Sequence, residues 1–195
     1  MNLSEFHRRT TLSKEELLAH AYGNLIEDAP ENFIRLPAPP MLMIDRVTDV
    51  ARRGPSGSIT AEKDIRIDDW FFGPHFVGDP VQPGCLGVDA IWQLIGLYLG
   101  LRGVAYSGRA LGCREVEFRG QIRPYDKLVR YEVEIRRYTE LAEQGAALAI
   151  GTGKVFVDDQ HIYTVVDAKV GGFKGIAYGD YPNRTAMAVG GIMER

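Results

Sequence analysis

The stretch Trp70 to Leu94, WFFGPHFVGDPVQPGCLGVDAIWQL, gathers most of the side chains in this sequence that could move a proton. His75 lies in a glycine- and proline-rich loop between aromatic residues, and an imidazole so placed is the natural base. Asp89 falls about one turn inside the apolar segment that follows. A carboxyl group buried there is expected to hold its proton more tightly than in water, which suits a general acid. Gln93 lies four residues further along the same helical face. At the start of that segment the amides of Gly84 and Cys85 point out of the helix at the positive end of its dipole, where they could hold a developing oxyanion. Phe76 and Gln93 complete the set as candidate substrate contacts.

Each of these residues has a plainer use. A single loop histidine is more often structural or solvated, a buried aspartate can cap or brace a neighbouring loop, and glycines with prolines mean a turn. The functional reading rests on their conjunction, because stability alone seldom needs a carboxyl group, an imidazole and free helix-start amides in one place. The same geometry allows a rival chemistry in which Cys85, activated by the helix dipole and His75, is a thiolate nucleophile.

These residues are positioned by two kinds of element. Cys85 to Leu101 (CLGVDAIWQLIGLYLGL) has Asp89 and Gln93 as its only clearly polar side chains, so a helix here must be buried all round. Its length approaches the roughly 20 residues of a membrane span. A carboxylate in its middle and proline- and glycine-rich flanks favour a soluble core helix instead. Gly96 and Gly100 would let another backbone approach one face closely.

The remaining elements read as strands. Met41 to Val50 is an apolar run suited to a strand, and Gly54 to Ser58 is a turn. Ile59, Ala61, Ile65 and Ile67 then alternate with polar neighbours, broken only by Lys63. Arg109 to Arg119, Lys127 to Arg137, Ala146 to Val157 and His161 to Val170 follow, the last two joined by a tight link at Asp158, Asp159 and Gln160. Before them, Ser13 and Glu16 form a capping-box pattern for a short helix ending near Gly23, and Leu36 to Pro40 is too proline-rich to be helical. The fold class is α+β: one buried helix against a curved, mostly antiparallel sheet, its cover completed by a second copy.

The 195 residues suit a single core, flanked by an N-terminal helical segment over 1–35 and a glycine-rich extension over 172–195 with no assigned role. With 45% hydrophobic and 25% charged residues and a net charge of −3, the chain shows no basic footprint for nucleic acid and no pattern of a multispanning membrane protein. The first twenty residues contain no apolar stretch of signal type, which points to the cytoplasm and to reduced thiols at Cys85 and Cys113. Neither cysteine has ligands at metal spacing, so no metal or other cofactor is expected.

The segment FFGPHFVGDPVQPGCLGVDAIWQL closely resembles the active-site signature of the bacterial 3-hydroxydecanoyl-acyl-carrier-protein dehydratase/isomerase family. Further matches are LPAPPMLMIDRV from Leu36, GRALGCREVEFRG from Gly108, and IYTVVDAKVG near the end, so the likeness spans about 36–171. It implies a hot-dog fold, a homodimer with two sites at the interface, and dehydration of a 3-hydroxyacyl thioester carried on acyl carrier protein in fatty acid biosynthesis. His75 would remove the C2 proton, Asp89 of the other subunit would protonate the departing hydroxyl, and Gly84 would donate to the thioester carbonyl. The related non-isomerising dehydratase usually carries Glu where this chain has Asp89, so trans-2 to cis-3 isomerisation is also implied. Pro74 and Gln82 depart from the family pattern, where cysteine and an apolar residue are usual.

An acidic carrier calls for basic side chains, and residues 102–137 hold nine Arg/Lys against five Asp/Glu. A solvated strand face explains the same excess equally well. The competing functions are a hot-dog acyl thioesterase and a non-catalytic acyl-binding domain.

Overall fold

The capping box at Ser13 and Glu16 forms as expected in the computed structural model, which describes residues 1–175. It opens α2 (Lys14–Ala21), and Gly23 turns the chain out of the helix with a φ of +77°. A shorter helix, α1 (Leu3–Arg8), precedes it and was not legible in the sequence. Phe6, Leu17, Phe33 and Ile34 bury these N-terminal pieces against the main core.

That core surrounds α3 (Gly84–Leu101). The helix is long and apolar enough to cross a membrane, but here its sides pack on the sheet, and all but Gly84, Cys85, Asp89 and Trp92 are buried. Cys85, Asp89 and Trp92 are spaced four and three apart, so the incompletely covered positions form one stripe along the helix. At Gly100 an added Cβ would meet Ile34 Cγ2 at 2.8 Å, whereas at Gly96 nothing lies closer than 3.7 Å. The expected backbone approach at these glycines is therefore a side-chain contact, made by the N-terminal segment at Gly100.

The sheet consists of β1 (Arg46–Arg53), β2 (Ser56–Asp64), β3 (Ser107–Gly112), β4 (Glu115–Phe118), β5 (Leu128–Leu141), β6 (Ala146–Val157) and β7 (Gln160–Phe173). Its order is β1-β2-β5-β6-β7-β3, with β4 also paired to β7, and every pairing is antiparallel. Inward residues of β5 (Val129, Tyr131, Val133, Ile135) alternate with outward charges, as a one-sided sheet requires. Register shifts interrupt β6 against both neighbours and bend the sheet around the helix. Gly153 lets β6 reach α3, since a Cβ there would stand 2.5 Å from Ile91. The helix wrapped by a curved antiparallel sheet is the hot-dog arrangement.

Several boundaries differ from the sequence reading. Met41 to Asp45 is not strand, because its backbone groups are turned to α3 and to β2 instead. The strand read over 109–119 splits into β3 and β4 on successive parts of β7. Lys63 keeps the alternation that it seemed to break: it faces inward, 7% exposed, with its ammonium 3.1 Å from Asp69 Oδ1. The alternation instead ends at Ile67, which lies in the loop after β2 and is 82% exposed. Asp158 and Asp159 form the tight β6–β7 link with φ of 43° and 69°. The C-terminal extension begins inside β7, and from residue 176 it lies outside the described residues.

His20 on α2 gives the fold a pH dependence. Its Nδ1 accepts from the Leu36 amide at 3.3 Å, and its ring stacks on Phe6. Burial, aided by the nearby Arg35 charge, pushes its pKa down to about 4. The unfolded chain therefore takes up this proton first. His20 contributes fully above about pH 6.5, and its contribution falls as pH drops towards about 4, by about 3 kcal/mol in all. His20→Gln keeps an acceptor without titrating. In urea unfolding at pH 7 and pH 4, the wild type is expected to lose more stability than this variant by that order.

Candidate active site

Two buried phenylalanines anchor the loop that carries His75. Phe71 and Phe72 are 1% and 5% exposed, and the His75 amide donates to Phe71 O at 3.1 Å. Beyond His75 the chain forms a miniature hairpin. Phe76 and Asp79 exchange two backbone bonds across Val77 and Gly78, and Gly78 supplies the φ of +80° that the turn demands. Val81 donates back to His75 O at 2.8 Å, and the His75–Phe76 peptide is cis. Arg123 ties this hairpin to the segment before β5 by pairing with Asp79 and donating to Pro80 O at 3.1 Å.

The imidazole is held by the same hairpin. His75 Nδ1 lies 2.9 Å from the carbonyl of Val81. A carbonyl only accepts, so in the neutral ring Nδ1 carries the hydrogen and Nε2 keeps a free lone pair. That is the protonation state a general base needs. Phe76, 56% exposed, packs its ring 4.0 Å from the imidazole, centroid to centroid.

On α3 the carboxyl group is held by a fork. Gln93 Oε1 accepts from the Met43 amide at 3.0 Å, while its Nε2 donates to Met41 O at 2.7 Å and to Asp89 Oδ2 at 2.6 Å. These partners settle the amide orientation, since a backbone amide and a backbone carbonyl on opposite atoms admit only one assignment. Among the described residues the fork engages Oδ2, and no hydrogen bond is made to Asp89 Oδ1. It also explains why Met41 to Met43 leaves the sheet.

Pro83 occupies the N-cap of α3 and offers no side-chain acceptor, so the Gly84 and Cys85 amides stand uncapped at the helix start. Cys85 is an exposed free thiol, and no hydrogen bond joins it to His75 among the described residues. Asp89 departs from the expectation of deep burial. It is only half-buried in the single chain, because it lies on the uncovered stripe of α3. Nor do His75 and Asp89 meet within one chain's hydrogen bonds: His75 is bound to Val81, and Asp89 to Gln93.

The model of the FabA-like domain matches residues 36–166. The chain belongs to the FabA-like family. Among solved structures, a dehydratase heterocomplex, ApeI:P from Xenorhabdus doucetiae, is 14% identical with a TM-score of 0.54, covering 84% of this chain and 93% of that one. This likeness shows the shared fold. An uncharacterised protein from Erwinia carotovora subsp. atroseptica (16% identity, TM-score 0.43, 64% of this chain and 90% of that one) and PaaI from E. coli (10%, 0.44, 63% and 80%) are more distant in structure.

Three parts of this FabA-like site were not legible in the sequence: the Val81 carbonyl, the backbone of Met41 and Met43, and the Arg123–Asp79 pair. The first two are backbone groups, which carry no residue-type signal. Gln93, read in the sequence as a candidate substrate contact on the Asp89 face, has its amide bonded to Met41, Met43 and Asp89 in the structure. Gln93→Leu strands a buried amide and carbonyl and releases the carboxyl group. Chemical denaturation is expected to show a loss of about 2–3 kcal/mol.

Proposed function

We propose that this FabA-like protein is a 3-hydroxyacyl thioester dehydratase of fatty acid biosynthesis, using His75 as base and Asp89 as acid. The observation that carries the reading is the His75 tautomer: the Val81 carbonyl takes Nδ1–H and leaves Nε2 as a base. His75 Nε2 removes the proton from C2 of the substrate. The C2 electron pair forms the C2–C3 double bond while the C3–O bond breaks, and Asp89 gives its proton to the departing hydroxyl, releasing water. A Gly84 amide polarises the thioester carbonyl so that charge developing at the carbonyl oxygen is stabilised. Solvent then moves the proton from the imidazolium back to the carboxylate.

Two copies complete the site in this reading, with His75 of one facing Asp89 of the partner subunit. The uncovered stripe of α3 supports it, as do the exposed apolar side chains near the loop: Trp70 at 48%, Phe76 at 56%, Val77 at 92% and Phe118 at 51%. Scattered apolar residues are ordinary on a surface, but a cluster beside a half-open core helix marks a contact face. The same acid/base pair would shift a proton from C4 to C2 in trans-2 to cis-3 isomerisation, which Asp rather than Glu at position 89 favours.

Incubation with a 3-hydroxyacyl thioester tests the reading, with enoyl absorbance, double-bond position and free thiol followed together. Enoyl product is expected, and kcat should fall about 10²–10⁴-fold in His75→Ala and in Asp89→Asn. Cys85→Ala should keep most activity. Thiol release without enoyl formation would instead make the protein a thioesterase, and neither product would leave an acyl-binding domain.

For the substrate carrier, the reading extends to acyl carrier protein. Most cations of residues 102–137 are already paired, for example Arg119 with Glu117 and Arg130 with Asp159. Arg114 and Arg136, 66% and 53% exposed at their side chains, share the single carboxylate of Asp167 and leave a net positive charge. Charge reversal at Arg136 and Arg137 should raise KM for a carrier-linked substrate and leave a coenzyme A-linked one unchanged. Equal KM values for the carrier-linked substrate would remove these residues from docking.

A further inference from the structure

Behind the His75 hairpin lies a group of polar side chains that the acid/base chemistry does not use. Gln82 is 5% exposed, Tyr131 is fully buried and Tyr163 is 3% exposed. They come from three places in the chain: the loop before α3, the middle of β5 and the start of β7. The Tyr163 hydroxyl sits over the first turn of α3, where a Cβ on Gly87 would stand 1.5 Å from it. The Gln82 amide is close enough to the Tyr131 phenol to bias its ionisation, but it is not aligned for a direct hydrogen bond.

The two amide atoms of Gln82 and both phenolic oxygens are without a hydrogen-bond partner among the described residues. Burial raises both phenols above their ordinary range, so each hydroxyl keeps its proton and remains a donor. Each such unmet group is costly to bury, and an apolar side chain at position 82 would avoid the cost of two of the four. Donors and acceptors gathered this way are what an internal water bridges, typically with about three hydrogen bonds.

What this group holds is the peptide that orients His75. The Val81–Gln82 peptide unit is fixed at both ends: its N–H donates to Ile122 O at 3.0 Å, and its carbonyl accepts from His75 Nδ1 at 2.9 Å. The Gln82 side chain leaves from the α-carbon beside that unit and points into the core. A polar tether there resists rotation of the peptide and therefore loss of the imidazole's orientation.

We propose that Gln82, Tyr131 and Tyr163 form a water-bridged polar node that anchors the Val81–Gln82 peptide to β5 and β7, making Gln82 a positioning residue for His75. The inference rests on His75 being the base, but it is read out without turnover. Gln82→Met keeps length and volume while removing both polar atoms, and Tyr163→Phe and Tyr131→Phe each remove one oxygen. In ¹⁵N-labelled full-length protein, with His75 assigned through His75→Ala, the wild type should show a fixed Nδ1–H tautomer. Gln82→Met should mix the tautomers and move the His75 titration midpoint. Dehydration kcat should fall about tenfold with KM unchanged, and the acid limb of its pH profile should move with that midpoint.

Tyr163→Phe should produce the same changes, and the double variant should be no worse than the more damaged single one. If Gln82→Met fails to fold, Tyr131→Phe and Tyr163→Phe carry the comparison. His75 resonances that are unchanged in folded Gln82→Met or in both tyrosine variants would overturn the proposal, as would independent, multiplying effects of the two substitutions. A wild type that does not dehydrate, yet whose His75 tautomer responds to Gln82→Met, would defeat the dehydratase reading and leave the node standing.

Discussion

A core helix with almost no polar side chains has to be covered on every side, and the rest of this structure follows from how that cover is built. The sheet supplies most of it, bending at the register shifts of β6 and approaching closely where Gly153 admits Ile91. The N-terminal segment supplies another part, with Ile34 and Phe33 lying over Gly100. What stays open is the stripe through Cys85, Asp89 and Trp92. Hydrophobic burial thus decides the location of the candidate site: the one polar residue pair of α3 lies where the chain's own cover runs out or is replaced by hydrogen bonds.

Both candidate acid/base side chains are oriented by backbone groups. Val81 O selects the tautomer of His75, and the carbonyl of Met41 and amide of Met43 orient Gln93, which in turn orients Asp89. Backbone atoms in a packed loop are harder to displace than side chains on a surface, so these orientations are built into the fold. The Gln82 node extends the same logic inward by joining the His75 hairpin to the sheet.

Where sequence reading and structure part, the cause is a competing interaction. Met41 to Asp45 has strand-like composition, but Gln93 and β2 claim its backbone. Ile67 continues an alternating pattern by residue type, yet the strand ends at Asp64 and the loop is held by Lys63 and Asp69. Asp89 is half-buried in the single chain because it lies on the stripe of α3 that the chain's own sheet and N-terminal segment leave uncovered, where the sequence reading expected a second copy.

The sequence by itself determined the helix, the alternation of the long strands, the tight β6–β7 link and the N-terminal capping box, and it singled out His75 and Asp89 as candidates for chemistry. Those are local signals: periodicity, turn residues and the rarity of polar groups in an apolar run. Tertiary structure alone decided which nitrogen of His75 is free, which oxygen of Asp89 is held, and which stripe of α3 is left uncovered. Each depends on atoms distant in sequence, in groups such as a backbone carbonyl that look the same whatever residue carries them.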